Sequence, residues 1–79
     1  MTTRPSLVRS MIELIRSGNL KGFLVRAQKA EPADIGDVLA SLDEEERLQV
    51  VRALPRRLSG KALIEMQDEA QAEETLVAL

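Results

Sequence analysis

The sequence predicts an all-α fold, a superhelical array of about six short helices built as helix-pair repeats in the manner of a solenoid. Three observations carry that prediction. Apolar residues recur at helical spacing along almost the whole chain, which places them on one face of each helix. Prolines and capping residues cut the pattern into segments shorter than the ~12–15 residues an isolated helix needs in water, so the segments must lean on one another. The pattern also recurs at a spacing of 24 or 25 residues, and repeats of that length are the mark of stacked helical units.

The first helix is expected from about Ser6 to Ser17. Leu7, Met11, Leu14 and Ile15 lie on one side, with Val8 and Ile12 widening the stripe. Gly18 stands where a left-handed residue closes a helix, and Asn19 is placed to cap the next one. That second helix sets Leu20, Phe23, Leu24 and Ala27 at i, i+3, i+4 and i+7. Pro32 suits the first turn of a third helix, where its missing N–H costs nothing. Asp34 and Asp37 follow early in it, favoured there by the helix dipole, and Ile35, Val38, Leu39 and Leu42 form its apolar face.

The run SLDEEERLQVV opens the fourth helix. Asp43 and Glu46 stand three residues apart, the spacing of a capping box. Leu48, Val51 and Leu54 are expected as its buried stripe. Pro55 ends this helix and starts a fifth, with Leu58, Ala62, Leu63 and Met66 facing inward. Met11 and Met66 thus read as core fillers. Asp68 and Gln71 repeat the capping spacing, and the sixth helix ends with Leu76 and Leu79.

The repeat emerges when DIGDVLASLDEEERLQVVRAL is laid over LSGKALIEMQDEAQAEETLVAL. At an offset of 24, Gly36 meets Gly60, Leu39 meets Leu63 and Leu42 meets Met66. One further residue at the joint makes the offset 25, and Asp43 then meets Asp68, Glu44 meets Glu69, Val51 meets Leu76 and Leu54 meets Leu79. Leu48 falls on Glu73, the one poor match in the stripe. Gly36 and Gly60 lie inside helices, where glycine costs about 1 kcal/mol relative to alanine. Both are expected to let two helix backbones come close. The closing run ETLVAL has neither a C-cap glycine nor a polar face. A solenoid needs a polar cap, so the expectation is that the chain continues or that the last helix packs on a partner.

Composition excludes several classes. The 79 residues fit a single domain spanning 1–79. There is no cysteine and no histidine, which removes disulfides, thiolate metal sites and the usual general base. The five serines of interest, Ser6, Ser10, Ser17, Ser41 and Ser59, have no base to activate them, and no glycine-rich phosphate loop exists. No enzymatic activity is expected. No apolar run reaches the ~18–20 residues of a membrane span, and the start is not a secretory signal. The cytoplasm is the expected location. The net charge of −2 divides unevenly. Residues 1–29 carry six cations against Glu13, a balance of +5, and residues 30–79 carry twelve acids against five cations, a balance of −7. The basic residues are dispersed and Phe23 is the only aromatic, so nucleic-acid binding by base stacking is not expected.

The stretch EPADIGDVLASLDEEERLQVVRALPRRLSGKALIEM resembles the cytosolic N-terminal domain of the MgtE family of magnesium transporters. Pro32, Ala33, Asp34 and Ile35 match that family's helix start. Val38, Leu39 and Leu42 match its first stripe, Glu45, Glu46 and Arg47 its acidic turn, and Leu54-Pro55 its closing joint. The resemblance covers residues 20–79. It implies a superhelix of short helices on the cytosolic side of the membrane, followed in the transporters by CBS domains and a channel. It also implies that magnesium held between acidic faces of neighbouring domains keeps the closed state. The N-terminal part of a flagellar motor switch protein has a related look. Lys61 departs from the family, which often has an acid in that helix.

The four carboxylates from Asp43 to Glu46 cannot all face one ion, because successive helical residues point about 100° apart. Capping and dipole stabilisation account for them most simply. The resemblance adds a weak magnesium site, shared with another domain, for which Glu44, Glu45, Glu69, Glu73 and Glu74 are the candidates. Arg56 and Arg57 stand at a helix start, where cations are disfavoured, and an acidic partner would suit them. The expected function is therefore regulatory: an acidic, cation-sensing surface that docks on a neighbouring domain. The alternative is a stand-alone helical-repeat interaction module, flagellar motor switch-like or self-associating through its last helix.

Overall fold

The computed structural model describes residues 5–79. Arg4, counted in the basic start, lies outside the described residues. Six helices follow one another: α1 (Pro5–Arg16), α2 (Leu20–Ala27), α3 (Pro32–Ser41), α4 (Glu44–Ala53), α5 (Arg56–Glu65) and α6 (Glu69–Ala78). No strand occurs among the described residues.

The joints are made as the sequence dictates. Gly18 adopts φ +84°, a conformation glycine reaches without strain. Asn19 N–H donates to the Leu14 carbonyl at 2.8 Å and Gly18 N–H to the Ile15 carbonyl at 3.1 Å, the two bonds of a Schellman closure. The Asn19 side chain then accepts from Gly22 N–H at 3.0 Å and opens α2. Pro32 occupies the first turn of α3. At α4 the capping box is complete: Asp43 Oδ1 accepts from Glu46 N–H at 2.8 Å, and Glu46 Oε1 accepts from Asp43 N–H at 3.1 Å. Asp68 accepts from Ala70 and Gln71 N–H at the start of α6. Gln71 does not return the bond; its Nε2 reaches the Ala40 carbonyl instead, at 3.4 Å.

The helix pairs stack like on like. Helix α3 lies at the centre, packed against α1 on one side and α5 on the other, while α6 packs on α4 and α2 on α1. The pair α5–α6 therefore sits on the pair α3–α4, as a repeating array requires. The core runs through this stack from Met11 and Phe23 to Ile35, Val38, Leu39 and Val50, all fully buried.

Two expectations need correction, and one buried residue, Thr75, was not foreseen. Leu48 is only half-buried; the inner face of α4 is Arg47, Val50, Val51 and Leu54. These follow i, i+3, i+4 and i+7, so the stripe holds once an arginine is admitted to it. In α6, Leu76 and Leu79 are exposed and Thr75 is the buried residue. Of the two matched glycines, only Gly36 marks a close approach: a β-carbon there would stand 3.1 Å from the Ala62 carbonyl oxygen, whereas one on Gly60 would meet nothing within 4 Å.

Candidate functional site

The acidic turn before α4 divides into residues already engaged and residues left free. Asp43 and Glu46 cap the helix, and Glu46 Oε2 also lies 3.5 Å from Arg16 Nε, tying the turn to the end of α1. Glu44 and Glu45 stand exposed in the first turn of α4, where the dipole favours them. Glu69 occupies the corresponding turn of α6, and Glu73 and Glu74 follow on the exposed surface of that helix. The Glu74 carboxylate is drawn toward Arg47, at 3.7 Å from Nη1. No group of three or more carboxylates is gathered to hold a metal ion among the described residues. The five candidate acids thus lie on the starts and outer faces of two packed helices and do not converge on one point.

The residue that sequence reasoning misplaced is Arg47. Its side chain is almost fully buried, yet every arm has a partner. Nε donates to the Leu39 carbonyl at 3.0 Å, Nη2 to the Leu42 carbonyl at 2.9 Å and Nη1 to Thr75 Oγ1 at 3.4 Å. Thr75 in turn donates to the Gln71 carbonyl at 2.8 Å. The last carbonyls of α3 lack the i+4 donors of a helix interior, Leu39 keeping only the Leu42 N–H at 3.2 Å, and α3 has no basic residue in its last turn. Arg47 supplies both the donors and the positive charge from the next helix. Through Thr75 and Glu74 the same guanidinium fixes α6 to the first pair. The available signal was its place in the i, i+3, i+4, i+7 set with Val50, Val51 and Leu54.

Asp34, placed early in α3 where the dipole favours acids, is also buried, and its Oδ2 has no hydrogen-bond partner. Arg56 and Arg57 are exposed at the start of α5 and form no ion pair among the described residues. No described helix is long and apolar enough to cross a membrane.

The family described as the MgtE intracellular N domain matches residues 30–76. This chain belongs to that family. The match begins just before α3 and runs to Leu76 in α6, so it covers both stacked pairs. The MgtE N domain unit thus includes the Pro32 start, the capped acidic turn, Arg47 and Thr75. Helices α1 and α2 lie outside the matched residues, which makes the shared part shorter than the 20–79 expected from resemblance. No curated protein and no solved structure matches the chain significantly.

Proposed function

We propose that this chain is a regulatory, cytosolic domain of a magnesium-transport protein, docking on a neighbouring domain and sensing a divalent cation through its acidic surface. The family match over residues 30–76 is the observation that carries the proposal. The acids fit magnesium only as part of a shared site. The ion demands near-octahedral oxygen geometry but keeps several waters, so one or two protein carboxylates suffice. Asp43 and Glu46 are committed to capping and Glu74 to Arg47. Glu44, Glu45, Glu69 and Glu73 remain to offer such carboxylates, with a facing acidic surface completing the shell.

A magnesium titration at constant ionic strength, read from backbone amide NMR shifts, tests the sensing role. Saturable shifts at Glu44–Glu45 and Glu69–Glu73 are expected at roughly millimolar concentration, the weak end of oxygen-ligand sites. Equal shifts with sodium at matched ionic strength would reduce the effect to screening. A docked neighbouring domain that completes the ion's shell is expected to tighten the response.

A second reading, a helical-repeat interaction module related to motor-switch proteins or self-associating, is favoured by one observation. Ile64, Leu76, Val77 and Leu79 are large apolar residues each exposed on the last helix pair. Non-covalent pull-out of a protein partner with no magnesium response would favour it.

A further inference from the structure

Two separate helix faces, one on α2 and one on α6, are exposed and opposite in sign. On α2, Lys21 and Val25 stand one turn apart, on the side away from the buried Phe23 and Ala27. Lys29 follows in the turn beyond the helix. Arg26 and Lys29 border a groove with Leu7 and Ala30, and no acid lines it. On α6, Glu69, Glu73 and Val77 follow at i, i+4 and i+8, on the side away from the buried Thr75. Residues 20–29 hold Lys21, Arg26 and Lys29 and no acid, whereas residues 65–79 hold Glu65, Asp68, Glu69, Glu73 and Glu74 and no cation. Lys21, Lys29, Glu69 and Glu73 form no ion pair among the described residues.

The signs decide what can cover these faces. Either face would repel a copy of itself, so a symmetric contact through one of them is disfavoured. An unrelated partner would match one face and leave the other. A second copy brings to each face the opposite one, with a valine beside the charges on both.

We propose that the chain associates with further copies of itself head to tail, the acidic face of α6 seating on the basic face of α2 of the next copy. This rests on the self-associating form of the second reading above and gives it its two surfaces. Val77 meets Val25, and the carboxylates of Glu69 and Glu73 lie against Lys21, Arg26 and Lys29. A contact between two different surfaces does not close on itself as a symmetric one does, so growth beyond a dimer is expected. The faces of helices of eight and ten residues are small, so the association is weak and leans on charge.

Sedimentation velocity of the whole chain in magnesium-free buffer tests this. The mean mass should rise with concentration between roughly 10 μM and 1 mM. Raising salt from ~20 mM to ~500 mM should weaken the association by about tenfold or more. The double reversal Lys21→Glu with Lys29→Glu puts acids on both faces, and Glu69→Lys with Glu73→Lys puts cations on both. Each variant alone should stay monomeric, with helical circular dichroism unchanged. Mixed, they again pair unlike charge at every contact, and association should return. Val77→Ser, which alters neither charge nor cap, should weaken the wild-type association by about fivefold. A chain still monomeric at roughly 1 mM and low salt would overturn the proposal. So would a dimer that never grows, association indifferent to salt, or reversed variants that no mixing restores. A monomer that still pulls out a protein partner keeps the interaction module and removes only this contact. The magnesium response, read on Lys21→Glu with Lys29→Glu, whose α6 acids are intact, tests the sensing role separately.

Discussion

Gly36 and Ala62 meet where the two helix pairs pack: a β-carbon on Gly36 would lie 3.1 Å from the Ala62 carbonyl oxygen. That oxygen is helix backbone and yields little. Gly36→Ala gains helix propensity of about 1 kcal/mol but forces two packed helices apart, and overpacking costs typically 1–3 kcal/mol. The expected outcome is net destabilisation, larger again for Gly36→Val. Gly60 occupies the matching position with open space around it, so Gly60→Ala should instead stabilise by up to about 1 kcal/mol. Urea unfolding of the two alanine variants checks the opposite signs; a shift of both midpoints in the same direction would contradict the stacking.

Arg47 predicts a larger loss. Arg47→Met fills similar volume but leaves the Leu42 carbonyl without its donor and the Leu39 carbonyl with Leu42 N–H alone. An unsatisfied buried polar group costs about 1–3 kcal/mol, so a loss of that order is expected, a large share of the stability of a small domain. Arg47→Lys should recover only part, because the donors of an ammonium all radiate from one nitrogen and cannot span the three acceptors that the planar fork reaches. Glu74→Gln should cost under about 1 kcal/mol, since that carboxylate is more than half exposed and its ion pair is screened. Thermal denaturation of the three variants orders them. Equal effects of Arg47→Met and Glu74→Gln would show that the ion pair, and not the helix end, is what Arg47 serves.

The capping box gives a third prediction. Asp43→Ala removes the acceptor for Glu46 N–H and should cost about 1 kcal/mol, while Glu44→Gln and Glu45→Gln, which cap nothing, should each stay within about 0.5 kcal/mol. Equilibrium unfolding of the single variants separates the roles. Equal losses at all three positions would mean that the acids act only as diffuse charge.

The features legible in the sequence are those with local causes. Gly18, Asn19, Pro32, Asp43 and Pro55 each set a helix end through their own backbone or a bond within a few residues, and each acts where expected. The features that were not legible depend on residues far apart in the chain. Arg47 looked like one more charge in an acidic turn, because its partner Thr75 lies 28 positions on. Excluding it put Leu48 in the stripe where Arg47 and Val50 belong, while Val51 and Leu54 are buried as expected. With the stripe corrected, the mismatch between Leu48 and Glu73 falls outside it, at a position half-buried in the first pair and exposed in the second. Val50 and Thr75, equivalent at the offset of 25, are both fully buried. The candidate acids could be located but not shown to converge, since nothing local fixes where exposed glutamates on two helices point.

The last prediction concerns which helix lets go first. Helix α3 buries Asp34, Ile35, Gly36, Val38 and Leu39 and packs against three neighbours. Helix α6 fully buries only Thr75 and is held by the Arg47 contacts, the Gln71–Ala40 bond and packing on α4. A helix of ten residues has little stability of its own, so α6 should open without the rest. Local openings cost less than global unfolding where few apolar contacts are lost. Amide hydrogen exchange is therefore expected to be fastest, among helix interiors, in α6 and slowest in α3. Thr75→Val keeps the shape but deletes both hydroxyl bonds, and should speed exchange in α6 while leaving α3 nearly unchanged. Uniform exchange across the two helices, or equal acceleration in both, would mean that the second pair cannot detach its outer helix and that the array unfolds only as a whole.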